Sequence, residues 1–221
     1  MTRVKICGLM EVEHAIVAAQ SGADFVGVVF AEGRRRLPPE KAREIAAAVH
    51  GVAKPPQVVG VFARHTASDV NRIAEYCGLD RVQLAGGEAW SFCLEMERPI
   101  TRTIHVAPGT SAEQVLAEIA EGKRALAGRD LFFLLDTKVG DASGGTGRLF
   151  DWSIAREVTR RYPVIVAGGL DPGNVSRLVK DVGPWGVDVS SGVETNGRKD
   201  PARIRAFIEA VRKAEEQHAT G

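Results

Sequence analysis

The sequence predicts an α/β protein folded as a single (β/α)₈ barrel over residues 1–221. Eight short apolar runs alternate strictly with amphipathic segments, and no Pro/Gly-rich linker divides the chain. Strict alternation indicates parallel strands with helical crossovers, and eight is the number of strands that closes a barrel. An open doubly wound sheet is the alternative. That fold would need a glycine-rich dinucleotide fingerprint after the first strand, and Cys7-Gly8-Leu9-Met10-Glu11 lacks it.

The predicted strands are short and rich in aliphatic residues, as expected for a parallel sheet that is covered on both sides. They span residues 4–7, 25–30, 57–62, 81–84, 100–106, 131–136, 164–167 and 187–190. The run 131–135, ending in Asp136, predicts a strand buried on both faces.

Amphipathic periodicity and helix-end signals place the helices between these strands. The predicted helices span residues 11–21, 39–50, 67–77, 89–97, 111–127, 151–161, 172–182 and 201–216. Pro38-Pro39 is a start signal for the second helix, Gly78 a C-cap for the third, and Asp151 an N-cap for the sixth.

Composition excludes several classes of function. Lys and Arg total 29 against 28 acidic residues, so no basic field is available for nucleic acid. Apolar runs fall short of the roughly 18 residues that a membrane span needs. The first predicted strand begins at residue 4, so we expect no signal peptide. Three cysteines without paired spacing indicate reduced thiols, so we expect a cytoplasmic protein. Five scattered histidines give no metal-ligand spacing, and we expect no metal.

In a barrel the active site lies at the carboxyl ends of the strands, which brings Cys7 and Asp136 to one mouth. Cys7 ends the first strand and is followed by Gly8. Asp136 ends the sixth strand and is followed by a glycine-rich loop that contains Gly144 and Gly145. A thiol and a carboxylate across one mouth form an acid/base pair. The simpler interpretations are that Asp136 caps a turn and that the glycines only bend the chain.

Small residues follow strands seven and eight, where barrels commonly bind phosphate. Gly168 and Gly169 follow the first of these strands, and Ser190, Ser191 and Gly192 follow the second. Backbone N–H groups of such loops can bind an anion, and a helical turn after Ser191 would add partial positive charge. Simple tight turns are the alternative.

Three consecutive arginines, Arg34, Arg35 and Arg36, follow the second strand. A guanidinium binds a flat carboxylate through paired hydrogen bonds. Three adjacent side chains cannot all face the mouth, so at most two of them bind substrate. Spacing alone does not decide which.

Together these motifs resemble the phosphoribosylanthranilate isomerase family, in the family's order and spacing, from about residue 3 to residue 210. They include VKICG at 4–8, SGAD at 21–24, VGVF at 59–62, LLD at 134–136, GGTG at 144–147, AGGL at 167–170 and DVSSGVE at 188–194. The resemblance implies a cofactor-free barrel enzyme of tryptophan biosynthesis. It further implies that Cys7 is the general base, Asp136 the general acid and Arg36 the contact for the anthranilate carboxylate. We then expect a lowered pKa for the base and a raised one for the acid.

Two positions depart from the family's pattern, and two rival functions stay open. Ala85-Gly86-Gly87-Glu88 stands where a His-Gly-acidic-Glu pattern is common, and Arg102 stands where lysine is common. One rival is the related histidine-pathway isomerase, or an enzyme acting on both substrates; Gly86-Gly87 could bind its second phosphate. The other is a non-catalytic phosphate-ligand binding protein. The expected partner is a phosphorylated small molecule, and the expected state is a monomer or homodimer.

Overall fold

A computed structural model describes residues 1–136 and 152–219 of the chain. Its main sheet is a closed barrel of eight parallel strands in chain order, so the first strand pairs with the eighth. The strands are β1 Arg3–Cys7, β2 Phe25–Val29, β3 Gln57–Phe62, β4 Arg81–Leu84, β5 Ile100–His105, β6 Leu131–Asp136, β7 Val164–Ala167 and β8 Gly186–Val189. The predicted barrel is therefore confirmed.

Helices connect the strands and surround the barrel. They are α1 Val12–Gln20, α2 Pro39–His50, α3 Ala67–Cys77, α4 Trp90–Leu94, α5 Ala112–Ala125, α6 Ser153–Thr159, α7 Val175–Val182 and α8 Pro201–Ala219. After β8 the chain forms a short 3-10 turn, Ser191–Val193, and a two-stranded hairpin of β9 Glu194–Thr195 and β10 Arg198–Lys199. The predicted turn after Ser191 is confirmed, and Gly78 ends α3 with a φ of 66° as its C-cap.

Five helices are shorter than predicted, and the largest differences at one end are three residues, at the end of α4 and at the start of α7. Helix α4 stops at Leu94 because Glu95 and Met96 donate to carbonyls three residues back, which tightens the chain into a turn. Helix α7 begins three residues late because the Asp171 carboxylate accepts hydrogen bonds from the N–H groups of Gly173 and Asn174. This local turn competes with the first helical turn.

Successive side chains of each strand point alternately into the barrel and out towards the helices, which gives two sets of buried side chains. The large apolar core lies between the barrel and its helices, whereas a small cluster of Leu134, Ile165 and Ala167 lies inside. The interior also holds polar pairs: Lys5 bonds Asp188 across β1 and β8, and Gln83 bonds Thr103 across β4 and β5. Strand β6 is less buried than predicted at its start, where Leu131 and Phe132 are half-buried.

Candidate active site

Cys7 lies where the sequence predicts, at the carboxyl end of β1 with its thiol among residues of the barrel mouth. Its residue is only 8% exposed. A side chain on Gly27 of the neighbouring strand would meet the Cys7 Sγ at 2.9 Å, so the glycine makes room for the sulfur. Gly8 follows with a φ of 73°, and the side chain of Arg35 occupies the space that a Cβ there would need. Both glycines are therefore required by close contacts.

The thiol pKa does not follow the expectation from sequence. We expected surroundings that lower it, but burial raises the pKa of the Cys7 thiol above its usual value. The ammonium groups of Lys5 and Lys199 act in the opposite direction, and the Asp188 carboxylate adds to the increase. Burial dominates because removing a thiolate from water costs more free energy than the nearby positive charges supply.

Asp136 ends β6 on the same mouth, and His105 of β5 lies beside it. The Nδ1 atom of His105 is 3.7 Å from Oδ2 of Asp136, whose side chain is 29% exposed. The other ring nitrogen, Nε2, lies 2.9 Å from the Ala85 carbonyl oxygen. The neighbouring Asp136 carboxylate raises the pKa of the His105 imidazole. His105 therefore lies beside the carboxylate on the side that faces β5.

A network of charged residues lies between β1, β8 and the hairpin after β8. Lys5 Nζ bonds Asp188 Oδ1 at 3.1 Å, with both residues buried. Lys199 Nζ bonds Glu194 Oε1 at 2.9 Å and the carbonyl oxygen of Ser190 at 2.8 Å. The hydroxyl of Ser190 in turn donates to the carbonyl of Cys7 at 3.1 Å. The backbone that carries the thiol is therefore held from the β8 side.

Sequence reasoning missed Lys5, Asp188, Lys199, Glu194 and His105. A signal existed for two of them, because a charged residue inside a short aliphatic strand is rare unless it is paired. Lys5 in Val4–Cys7 and Asp188 in 187–190 meet that description. Their pairing follows from the closed barrel, which sets Lys5 opposite Asp188 in register.

Glu194 also separates the three arginines. It accepts hydrogen bonds from Arg35 Nε at 2.7 Å and Nη2 at 3.1 Å, and a further one from Arg34 Nη2. Arg34 also donates to the carbonyl of Gly197. Arg36 is exposed, and no side chain among the described residues pairs with its guanidinium.

The loops after β7 and β8 pack directly against each other. A Cβ on Gly192 would lie 1.8 Å from the Leu170 carbonyl oxygen, so backbone fills the space where a side chain would be. Gly168 and Gly169 have φ values of 100° and 65°, in the left-handed region that glycine tolerates. No described residue accepts a backbone hydrogen bond from Gly168, Gly169, Ser191 or Gly192. The anion site predicted at these N–H groups stays a prediction. Gly144, Gly145 and the predicted cap Asp151 lie outside the described residues.

The loop after β4 is occupied by the chain's own carboxylate. Glu88 accepts hydrogen bonds from the Gly86 N–H through both carboxylate oxygens, at 3.1 Å each. Its Oε2 also accepts from Arg102 Nη1 at 3.0 Å. The two departures from the family's pattern are therefore in contact, and a negative charge already occupies the position considered for a second phosphate.

Comparison with known proteins gives the family. The model of the N-(5'-phosphoribosyl)anthranilate (PRA) isomerase family matches residues 4–210. The chain belongs to this family. It is 52% identical to the N-(5'-phosphoribosyl)anthranilate isomerase of Dehalococcoides mccartyi, over 97% of this chain and 98% of that one. The chain is therefore an isomerase.

Solved structures of phosphoribosylanthranilate isomerases share the barrel. The enzyme from Thermotoga maritima superposes with a TM-score of 0.80 at 35% identity, covering 96% of this chain and 100% of that one. Another, at 32% identity and a TM-score of 0.77 with the same coverage, holds reduced 1-(o-carboxyphenylamino)-1-deoxyribulose 5-phosphate. That isomerase therefore binds a phosphorylated small molecule.

Among the described residues, no helix combines the length and apolar character needed to cross a bilayer. They also contain no group of three or more His, Cys, Asp or Glu placed to hold a metal ion.

Proposed function

We propose that the chain catalyses the Amadori rearrangement of N-(5'-phosphoribosyl)anthranilate to 1-(2-carboxyphenylamino)-1-deoxyribulose 5-phosphate in tryptophan biosynthesis, with Cys7 and Asp136 as its acid/base pair. One observation carries this assignment. A thiol and a carboxylate, at the ends of β1 and β6, share a mouth with N–H groups after β7 and β8 that donate to no backbone carbonyl of the described residues. The family match over residues 4–210 supports the same substrate.

The reaction opens the sugar before it moves a proton on carbon. Asp136, protonated in the complex, donates to the furanose ring oxygen as the bond between that oxygen and C1' breaks, leaving a protonated Schiff base. Cys7, as thiolate, then removes the proton from C2', and the electron pair forms an enolamine that tautomerises to the ketone. The iminium is the electron sink, so the residues need to supply only proton transfer.

The remaining site residues bind the two ends of the substrate. Arg36 pairs with the anthranilate carboxylate, since Arg34 and Arg35 are already bound by Glu194. The N–H groups of Gly168, Gly169, Ser191 and Gly192 hold the phosphate beside Ser190, and Gly144 and Gly145 stay predicted contacts of the same phosphate. Glu88 at Gly86 argues against a second phosphate and so against the histidine-pathway substrate.

We place this activity in the cytoplasm, supported by three cysteines that are all unpaired thiols. The functional state is a monomer or a homodimer that acts on small molecules rather than on nucleic acid or membranes. Light scattering at the assay concentration distinguishes the two states.

A fluorescence assay that follows loss of freshly prepared phosphoribosylanthranilate tests the proposal. The histidine-pathway aminoimidazole substrate is run in parallel. We expect turnover of the first and none of the second. A chain that binds phosphoribosylanthranilate without converting it would be a binding protein instead.

Cys7→Ser and Asp136→Asn should each lower turnover by roughly 10² to 10⁴, as removal of a general base or acid does. Serine is close to cysteine in shape but is too weak an acid to form the base near neutral pH. Near-UV circular dichroism provides the control, because both variants should keep the wild-type spectrum. A folded Cys7→Ser enzyme with wild-type turnover would show that the base is another group.

A further inference from the structure

Three ionisable groups share one buried space below the mouth. Lys5 and Cys7 are two residues apart on β1 and face the barrel interior, and Asp188 faces Lys5 from β8. Lys5 Nζ lies 3.1 Å from Asp188 Oδ1. It also lies close to the Cys7 sulfur, since a Cβ on Gly27 would meet the sulfur at 2.9 Å and Lys5 Nζ at 3.3 Å. All three residues are less than 10% exposed. The ammonium group therefore lies between the sulfur and the carboxylate.

In this cluster the Lys5 ammonium is close to two acidic groups, the Cys7 thiol and the Asp188 carboxyl. Burial raises the pKa values of both the Cys7 thiol and the Asp188 carboxyl, and the Lys5 charge lowers both. Two anions beside a single ammonium repel each other in a poorly solvated interior. A thiolate at Cys7 is therefore favoured when Asp188 is neutral, and the two groups compete for one proton.

The charges around the cluster come from three further elements. Lys199 of β10 acts on Cys7 and Asp188, but it is itself paired with Glu194. Asp136 of β6 acts on Asp188, and its negative charge favours the protonated form of that carboxyl. Strand β2 contributes no charge here, because Gly27 faces the sulfur.

We propose that Asp188 is a positioning residue that takes up the Cys7 proton during turnover, and that ring opening at Asp136 drives this transfer. The inference rests on the proposed function. In the resting enzyme Cys7 is a thiol and Asp188 a carboxylate on Lys5. When Asp136 donates its proton to the ring oxygen it becomes a carboxylate, and the new charge raises the proton affinity of Asp188. Lys5 passes a proton to Asp188 and accepts the one from Cys7, so the thiolate forms when C2' becomes acidic.

The proton transfers balance over one catalytic cycle. Cys7 regains a proton from C2', and Asp188 holds the proton that the thiol released. Asp136 is one proton short after ring opening. Return of the proton from Asp188 to Asp136 restores the starting state, and the substrate has only been isomerised. The first chemical step thereby creates the base for the second.

Alkylation of Cys7 by iodoacetamide across pH tests this arrangement, because only the thiolate reacts. Peptide mass spectrometry separates Cys7 from Cys77 and Cys93. Asp188→Asn removes the acid that competes with Cys7, so the Lys5 ammonium stabilises only the thiolate. We therefore expect alkylation of Cys7 at pH 7 to be at least about tenfold faster than in the wild type, which corresponds to a decrease of one unit in the thiol pKa. Lys5→Met should slow it by at least about tenfold.

Asp24→Asn is the matched control. It removes a carboxylate that pairs with a cation of β1, Arg3, at the opposite end of the strand. Its Cys7 alkylation should stay within about twofold of the wild type, because a charge that distant is screened. If Asp188→Asn does not fold, Asp188→Ser, which leaves room for a water beside Lys5, provides the same measurement.

An Asp188 variant that is folded but reacts no faster than the wild type would overturn the proposal, because it would make Asp188 only a structural partner of Lys5. Alkylation needs no substrate, so this result is independent of the turnover assay. Failure of the wild type to convert phosphoribosylanthranilate would instead overturn the proposed function.

Discussion

Three consecutive arginines follow β2, and a single carboxylate assigns them different roles. Glu194, whose side chain is 5% exposed, holds Arg34 and Arg35 through charged hydrogen bonds. Arg36 is the member of the run that it leaves unpaired among the described side chains. The chain thus keeps two guanidinium groups for its own structure and offers the third to solvent at the mouth.

Arg36→Ala should raise the Michaelis constant for phosphoribosylanthranilate, because it removes a charge-assisted contact worth about 1.5 to 3 kcal/mol. Arg34→Ala should change it little, since a half-exposed ion pair contributes about 0 to 1 kcal/mol. Steady-state kinetics on both variants measure the difference. If Arg34→Ala were the more damaging change, the carboxylate contact would belong to Arg34.

For single residues, the sequence predicts where a side chain lies better than it predicts the groups that surround it. The ends of β1 and β6 place Cys7 and Asp136 on one mouth once the barrel is assumed. The pKa of the thiol could not be predicted, because it depends on burial and on Asp188, which is 181 positions away in the chain but adjacent in space. The choice among the arginines likewise depends on Glu194.

The loops after β7 and β8 act as one element, because Gly192 packs against the backbone of Leu170. Gly169→Val should abolish phosphate binding: its side chain would project into space that the protein leaves open, at a φ of 65° that valine disfavours. Inorganic phosphate should therefore raise the melting temperature of the wild type but not of this variant.

Ser191→Ala is the matched control for the phosphate measurement. It keeps the backbone N–H that we assign to the anion and removes only a hydroxyl on an exposed residue. Its melting temperature should respond to phosphate as the wild type does. A lost response in Ser191→Ala would mean that the hydroxyl, and not the main chain, binds the anion.

The β9–β10 hairpin connects to the rest of the molecule through Glu194. Its bonds to Arg35 and Lys199 outweigh burial and lower its pKa from 4.5 to about 2. A lowered folded-state pKa gives stability that is present above pH about 4.5 and is lost as the pH falls towards 2. Glu194→Gln should cost about 3 kcal/mol at pH 7, since it leaves the buried ammonium of Lys199 without its counter-charge.

Denaturant unfolding of wild type and Glu194→Gln at pH 7, 4.5 and 3 tests this dependence. The difference in unfolding free energy should be largest at pH 7 and should shrink below 4.5, as the wild type gains a proton on Glu194. A difference that stays constant down to pH 3 would assign the cost to lost packing and not to charge.

Element existence could be predicted more fully than element ends. All eight strands follow from apolar runs, and Gly78 correctly marks the end of α3. The start of α7 could not be predicted, because the Asp171 side chain forms a local turn that the periodicity of the helix does not reveal. Likewise, α4 ends early through tightened hydrogen bonds at Glu95 and Met96.

The whole molecule is closed by contacts between its first and last segments. Helix α8 packs on α1 and α7, and Arg212 donates to the carbonyls of Thr2 and Gly22 at 2.7 and 3.2 Å. Its guanidinium also reaches Asp24 Oδ2 at 3.4 Å. These bonds hold the last helix over the junction between β1 and β2.

Arg212→Ala should lower the free energy of unfolding by about 2 kcal/mol, because it leaves the carbonyls of Thr2 and Gly22 without this donor and removes a charged partner of Asp24. Arg205→Ala, on an exposed position of the same helix, should change it by less than about 0.5 kcal/mol. Urea denaturation of both variants measures the two values. Equal losses would indicate that helix propensity, and not the contacts of Arg212, explains the effect.

Because the first and last segments of the chain lie close together, the order of the strands along the chain could be changed without changing the barrel. The amino group of Met1 lies 3.8 Å from the Glu215 carboxylate, and β1 pairs with β8 as regularly as with β2. In a ring of strands without an edge, no strand is first by virtue of its position. A short peptide that joins residue 1 to the region after residue 216 would make the chain circular. Opening that circular chain in an exposed loop elsewhere would give a circularly permuted protein with the same barrel.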